Sequence, residues 1–185
     1  MDLEECINKR RSIRNFQSKA VEKEKILKLI ESAQMAPSWK NSQVSRFFVI
    51  SSEKVRKEIA NCLASFNQEN TKNAPVIIVS TVVKNISGFE KDGSYSTHLK
   101  DGFQYFDNGL QVQNLCLEAY NLGLGTLIMG IYDEEKIRSL LNIPKDQEIV
   151  AVIGVGYPNI EPKMPKRLEV DEVVNSFNLK TYVNK

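Results

Sequence analysis

The sequence predicts a layered domain that mixes helix and sheet, with helices covering both sheet faces. Three observations carry that reading. Segments with helical spacing alternate with short apolar segments along the chain. The apolar segments, such as Val76-Ile77-Ile78-Val79, lack polar alternation, so both faces of their strands are covered. The length of 185 residues, with 42% hydrophobic and 26% charged residues, suits one ordinary globular domain with a real core. We therefore read residues 1–185 as a single domain.

Each element has its own local reason. Leu3, Cys6 and Ile7 share one side of a short helix over residues 2–9. A basic loop follows and ends at Phe16. Ile26, Leu29, Ile30 and Ala33 recur at helical spacing from Glu22 to Met35, and Pro37 ends that helix. The loop after it leads into a strand at Phe47-Phe48-Val49-Ile50. Ser51 or Ser52 caps a helix that runs to about Leu63, and the polar stretch Asn67–Asn73 reads as a separator. Val76–Val83 is the second strand. Residues 84–100 form a long surface loop, a length that usually serves function.

Helix resumes from Asp101 to Leu122. Phe103, Phe106, Leu110, Leu117 and Tyr120 fall near one face, and Val112, Leu115 and Cys116 widen the apolar coverage. Such a helix is expected to lie centrally or against a partner. Gly123 and Gly125 end it, and Thr126-Leu127-Ile128-Met129 forms a strand. Asp133 caps a helix to Leu141, and Ile149–Val155 is the last strand. Pro158, Pro162 and Pro165 keep the tail irregular, as an extended arm.

Composition excludes several functions. Cys6, Cys62 and Cys116 are odd in number and form no CxxC pair, which argues against a disulfide framework, a zinc site or a dithiol redox pair. The single histidine, His98, cannot supply a multi-histidine metal site, and no nucleophile-elbow pattern accompanies it. A net charge of +2, without a zinc-finger, RNP or helix-turn-helix pattern, argues against nucleic acid as a partner. No run approaches the ~20 apolar residues of a membrane span, and the acidic Met1–Glu5 start lacks signal-peptide features. The expectation is a cytoplasmic protein with no membrane partner. Gly123-Leu124-Gly125 is no dinucleotide loop, because it follows a helix and precedes a strand.

Three stretches look like parts of one pocket for an anion and a ring. Arg10-Arg11-Ser12-Ile13-Arg14 concentrates guanidiniums beside a hydroxyl, which is the donor set a phosphate monoester asks for. Ala36-Pro37-Ser38-Trp39-Lys40-Asn41-Ser42-Gln43 offers two carboxamides suited to the polar edge of a flat heterocycle. Lys163-Met164-Pro165-Lys166-Arg167 returns basic charge near the end of the chain.

The order of these pieces resembles the nitroreductase family of FMN-dependent oxidoreductases, from about Leu3 to Val174. The sharpest matches are Arg10-Arg11-Ser12-Ile13-Arg14-Asn15-Phe16, Ala36-Pro37-Ser38 with Asn41 and Gln43, and Gly154-Val155-Gly156-Tyr157-Pro158. The resemblance implies an α+β fold of three α/β/α layers around a mixed, mainly antiparallel sheet. It also implies an intertwined homodimer, with the long helix at the interface and residues 157–185 as C-terminal arms.

Two FMN sites at that interface would each draw on both subunits. Arg10, Arg11 and Ser12, with Lys166 and Arg167, match the phosphate and ribityl contacts, and Lys163 is a lesser candidate. Arg14 matches the position that reaches the pyrimidine end of the flavin. Pro37, Ser38, Trp39, Asn41 and Gln43 match the loop given across the interface, and Met129-Gly130-Ile131 the backbone facing flavin N5. The implied activity is ping-pong hydride transfer from NADH or NADPH, through flavin N5, to nitroaromatics, quinones or similar electron-poor acceptors. No side chain is needed as catalytic nucleophile and no metal is needed. The alternative is a flavin-binding or flavin-consuming relative, or a reductive dehalogenase-like one. Val44-Ser45 replaces the Pro-Trp common in the family, Trp39 stands where small residues are frequent, and residues 84–100 match nothing in it.

Overall fold

A computed structural model describes residues 2–175. Four strands, β1 (Ser45–Ile50), β2 (Val76–Val83), β3 (Gly125–Met129) and β4 (Gln147–Gly156), form a sheet in the order β1-β2-β4-β3. All three pairings are antiparallel, and an isolated parallel bridge joins Ser12 to Thr126 at the β3 edge. The helices are α1 (Leu3–Lys9), α2 (Lys23–Gln34), α3 (Glu53–Ala60), α4 (Ser65–Thr71), α5 (Gly102–Asn121), α6 (Glu134–Leu141) and α7 (Val170–Val173).

The central strands explain the unbroken apolar runs. Successive β2 side chains point to opposite faces. Ile77 and Val79 join a core with Ile59, Leu63 and Ile137 beneath α3 and α6. Val76 and Ile78 join a second core with Leu29 of α2 and Val112 and Leu115 of α5. The result is a three-layer α/β/α arrangement, as the sequence leads one to expect.

Two helices depart from expectation. The polar stretch after Leu63 contains α4, a helix with no apolar stripe of its own. Its Asn67 and Thr71 are buried; the Thr71 hydroxyl donates to Asn67 O at 2.6 Å and Gln68 Nε2 to Leu63 O at 2.8 Å. Tertiary burial thus overrides a pattern that reads as a loop. In α5 the core face is Val112, Leu115, Cys116 and Ala119, whereas Phe106 is 58% exposed. None of the stripe seen in the sequence reaches the core: Phe106 is exposed, and Phe103, Leu110, Leu117 and Tyr120 are half-buried. Caps fall largely where expected: Asp133 accepts from Lys136 N at 3.2 Å, but Ser52 occupies its cap position without a side-chain bond.

The tail is irregular after Pro158 until α7, whose residues are exposed; positions 176–185 of the expected arm lie outside the described residues.

At the far end of β3, the turn beyond Met129 is tied down by Tyr132. Its hydroxyl donates to Ile149 O at 2.9 Å, and the neighbouring Asp133 N–H donates to Cys62 O at 2.7 Å. Burial, with Glu134 and Glu148 nearby, pushes the phenol up to about 12. Its unfolded value is about 10. Between these pH values the unfolded chain releases a proton that the folded chain keeps, so stability falls as pH rises through that window. Tyr132→Phe should cost about 1 kcal/mol at neutral pH and lose less stability than the parent from pH ~10 to ~12. Urea midpoints of both proteins falling in parallel over that range would contradict this assignment.

Candidate active site

Backbone bonds lock the arginine loop onto the sheet. Ile13 N donates to Thr126 O at 2.9 Å, Gln17 N to Tyr157 O at 2.9 Å, and Asn159 N to Asn15 O at 3.0 Å. The loop thereby covers the free edge of β3 and is fastened to the segment leaving β4. The approach to β3 is close: a Cβ on Gly125 would sit 2.3 Å from Ile13 Cγ1. The loop cannot reach this position over any larger residue.

Arg10 and Arg11 are half-buried and line a cleft of about 470 Å³ with Cys116, Tyr120, Thr126 and the tail from Pro158 to Pro162. Arg11 Nη1 donates to Arg10 O at 2.7 Å. Burial pushes the Cys116 thiol up, opposed by a bond with the Thr126 side chain and by the Arg10 charge. Ser12 is half-buried at the β3 edge, and Arg14 is exposed two residues on. Beyond β3, Met129 is buried while Gly130 and Ile131 are exposed. Arg10, Arg11 and Arg14 form no ion pair among the described residues.

The carboxamide loop is built differently. It turns through one 3-10 turn, Trp39–Asn41, and three non-glycine residues have positive φ: Lys40 at 47°, Asn41 at 54° and Gln43 at 49°. Such backbone is costly, and a cluster of it marks a loop held for a purpose. The holder is Asp107 of α5, whose Oδ2 accepts from Trp39 N at 3.0 Å, Ser42 Oγ at 3.2 Å and Ser87 Oγ at 2.6 Å. Ser38 Oγ accepts from Gln43 N at 3.1 Å. Trp39 packs on Phe103 with ring centroids 4.5 Å apart. Pro37, Asn41 and Gln43 are exposed.

A single chain does not join the two parts. The carboxamide loop sits on Asp107, and the arginine cleft sits beside Cys116 and Tyr120, nine and thirteen residues further along α5. At ~1.5 Å per residue that is a separation of ~14–20 Å along the helix. Lys166 and Arg167 are exposed and form no ion pair among the described residues, and nothing links them to Arg10. An acid inside a largely apolar helix, Asp107 is the signal in the sequence for the tether of the carboxamide loop.

The donor set suits a ligand with a phosphate and a polar ring. Guanidiniums without carboxylate partners can accept an anion, and exposed carboxamides can bond the polar edge of a ring. Trp39 Nε1 and Gln104 Oε1 are buried without a hydrogen-bond partner among the described residues. Such orphans are what a ligand or a second chain satisfies.

Comparison with known proteins finds relatives over most of the chain. The family model described as the nitroreductase family matches residues 7–81 and 63–157. A Methanothermobacter thermautotrophicus protein, named as a candidate NADH dehydrogenase/NAD(P)H nitroreductase, is 31% identical over 94% of this chain and 86% of its own. The crystal structure of a nitroreductase family protein from Clostridium novyi NT superposes with a TM-score of 0.76, at 32% identity and 89% coverage of each chain. A candidate nitroreductase from Exiguobacterium sibiricum, crystallised in complex with FMN, gives a TM-score of 0.81 at 25% identity, covering 96% of this chain and 98% of its own.

Gly125→Ala should force the arginine loop away from β3. The expected cost is roughly 1–3 kcal/mol, as for other overpacked contacts, read as a lower urea midpoint with an unchanged slope. A midpoint equal to that of the parent would show that the loop is not seated on this strand.

Proposed function

The chain belongs to the nitroreductase family, and from that premise we propose that it works as a homodimeric FMN-dependent NAD(P)H oxidoreductase. The observation that carries the proposal is the arginine loop, fixed by backbone bonds while its guanidiniums lack carboxylate partners. A preorganised cluster of this kind suits a phosphate better than a flexible one, because little order is lost on binding. Arg10, Arg11 and the Ser12 hydroxyl hold the FMN phosphate and ribityl chain, joined by Lys166 and Arg167 from the tail. Arg14 places positive charge at the pyrimidine edge of the ring. The exposed backbone at Gly130 and Ile131, after the buried Met129, faces the reactive edge.

The loop carrying Pro37, Ser38, Trp39, Asn41 and Gln43 serves the site of the partner subunit. Its distance from the arginine cleft of its own chain supports that assignment. So do the outward α5 face, with Tyr105 40% and Phe106 58% exposed, and the tail, where Met164, Leu168 and Val170 are exposed. Bound FMN supplies the redox chemistry, relaying two electrons and a proton from NAD(P)H to an electron-poor acceptor such as a nitroaromatic or a quinone. The residues of the chain position donor and acceptor against one ring face and exclude water from it. None of the described helices is long and apolar enough to cross a membrane, and no group of three or more potential metal-binding side chains occurs among the described residues.

The purified protein should bind FMN, lose its yellow colour with NADH or NADPH under anaerobic conditions, and regain it on addition of a quinone. Arg10→Ala should weaken FMN by about tenfold or more, the worth of a hydrogen bond to a charged group, and riboflavin by less than about twofold. Equal losses for both ligands would place the phosphate elsewhere. Arg14→Ala should lower the flavin reduction potential with the fold intact, and an unchanged potential would remove Arg14 from the ring.

A further inference from the structure

We propose that Asp107 is the positioning residue of this site: it holds the carboxamide loop in its strained form and couples that loop to the segment 84–100. The inference rests on the functional reading above, in that the loop is taken to contact flavin.

Asp107 is 2% exposed, and three hydrogen bonds from two different loops converge on its Oδ2. Two come from the carboxamide loop, from the Trp39 N–H and the Ser42 hydroxyl. The third comes from Ser87, at the base of the segment 84–100. No Lys or Arg pairs with Asp107 among the described residues. A buried carboxyl so placed is tolerated only because these donors replace water.

The loop needs such a tether. Left-handed backbone at Lys40, Asn41 and Gln43 is unfavourable, and the loop's own bonds, Asn41 N to Ser38 O, Ser42 N to Trp39 O and Gln43 N to Ser38 Oγ, all lie within the loop and do not fix it to the rest of the fold. A second link lies further out, where Lys40 Nζ meets Glu90 at 3.1 Å and the Ser96 hydroxyl donates to the same carboxylate. The segment 84–100 is itself ordered: Phe89 and Tyr95 are bridged, and Glu90 N donates to Ser94 O at 2.8 Å. Two structured loops are therefore joined at their bases through Asp107 and near their tips through Lys40–Glu90. Displacing Asp107 should release Asn41 and Gln43 from the ring and loosen the 84–100 segment.

The neighbouring Asn108 provides a control. It is equally buried, but its side chain bonds Ser45 and Ser80 of the sheet, and no hydrogen bond joins it to either loop. Trp39, the only tryptophan, provides the reporter.

The test uses the full-length chain, with and without FMN, as Asp107→Ala, Asp107→Asn, Ser42→Ala and Asn108→Ala. Tryptophan emission, acrylamide quenching, FMN affinity and thermal midpoint are measured for each. Asp107→Ala should shift Trp39 emission to the red, raise quenching, and weaken FMN by about tenfold, the scale expected for charge-assisted bonds. Asp107→Asn should fall between it and the parent. Ser42→Ala, which takes one donor from the loop alone, gives a smaller shift in the same direction and stands in if Asp107→Ala does not fold. Asn108→Ala should lower the thermal midpoint but leave emission and FMN affinity within about twofold of the parent.

Parental emission and affinity in folded Asp107 and Ser42 variants would overturn the proposal. So would Asn108→Ala moving both readouts as far as Asp107→Ala. A parent protein that fails to bind FMN would overturn the functional reading instead, because Trp39 emission still reports whether Asp107 holds the loop.

Discussion

The backbone seam between the arginine loop and the sheet is the constraint on which the rest of the molecule depends. Main-chain bonds fasten it, and of the side chains of Arg10, Arg11 and Ser12 only Arg11 is engaged, through Nη1 to Arg10 O. The others stay available for an anion. The same seam pairs with Thr126 on the β3 edge, which would otherwise be left wholly unpaired. Fold and function thus share one feature.

Helix α5 divides along its length between two tasks. Its second half carries Val112, Leu115, Cys116 and Ala119 into the core against β2 and β4. Its first half buries Gln104, Asp107 and Asn108, polar groups that tie loops and strands together. Its outward face carries Tyr105 and Phe106. A helix with three kinds of surface reads in sequence as one that is apolar almost all round, because periodicity cannot tell a core-facing aromatic from one that awaits a partner.

The strands, the long helices and the basic loop were legible because each has a strong local signal: unbroken apolar runs, helical spacing, or a cluster of one charge. Helix α4 was not legible, since its residues are polar and its order comes from burial of Asn67 and Thr71 by distant elements. Gly154-Val155-Gly156-Tyr157-Pro158 was legible as a motif but not in its purpose. A Cβ on Gly156 would lie 2.5 Å from Pro75 Cδ and 3.2 Å from Phe16 Cδ1, so close packing against Pro75 and Phe16 requires glycine there. The role of Asp107 was not legible, because three donors remote in sequence give it meaning and no spacing rule records them.

The central claim is that the arginine loop of one copy and the carboxamide loop of another build each flavin site. A hybrid dimer tests it most directly, with Arg10→Ala in one chain and Asn41→Ala with Gln43→Ala in the other. If sites are shared, one site combines all the damage and the other is wholly parental. The hybrid should then bind one FMN with parental affinity, while neither mutant homodimer binds any as tightly. A hybrid with no site of parental affinity would mean that both loops serve a site within their own chain, and would contradict the account.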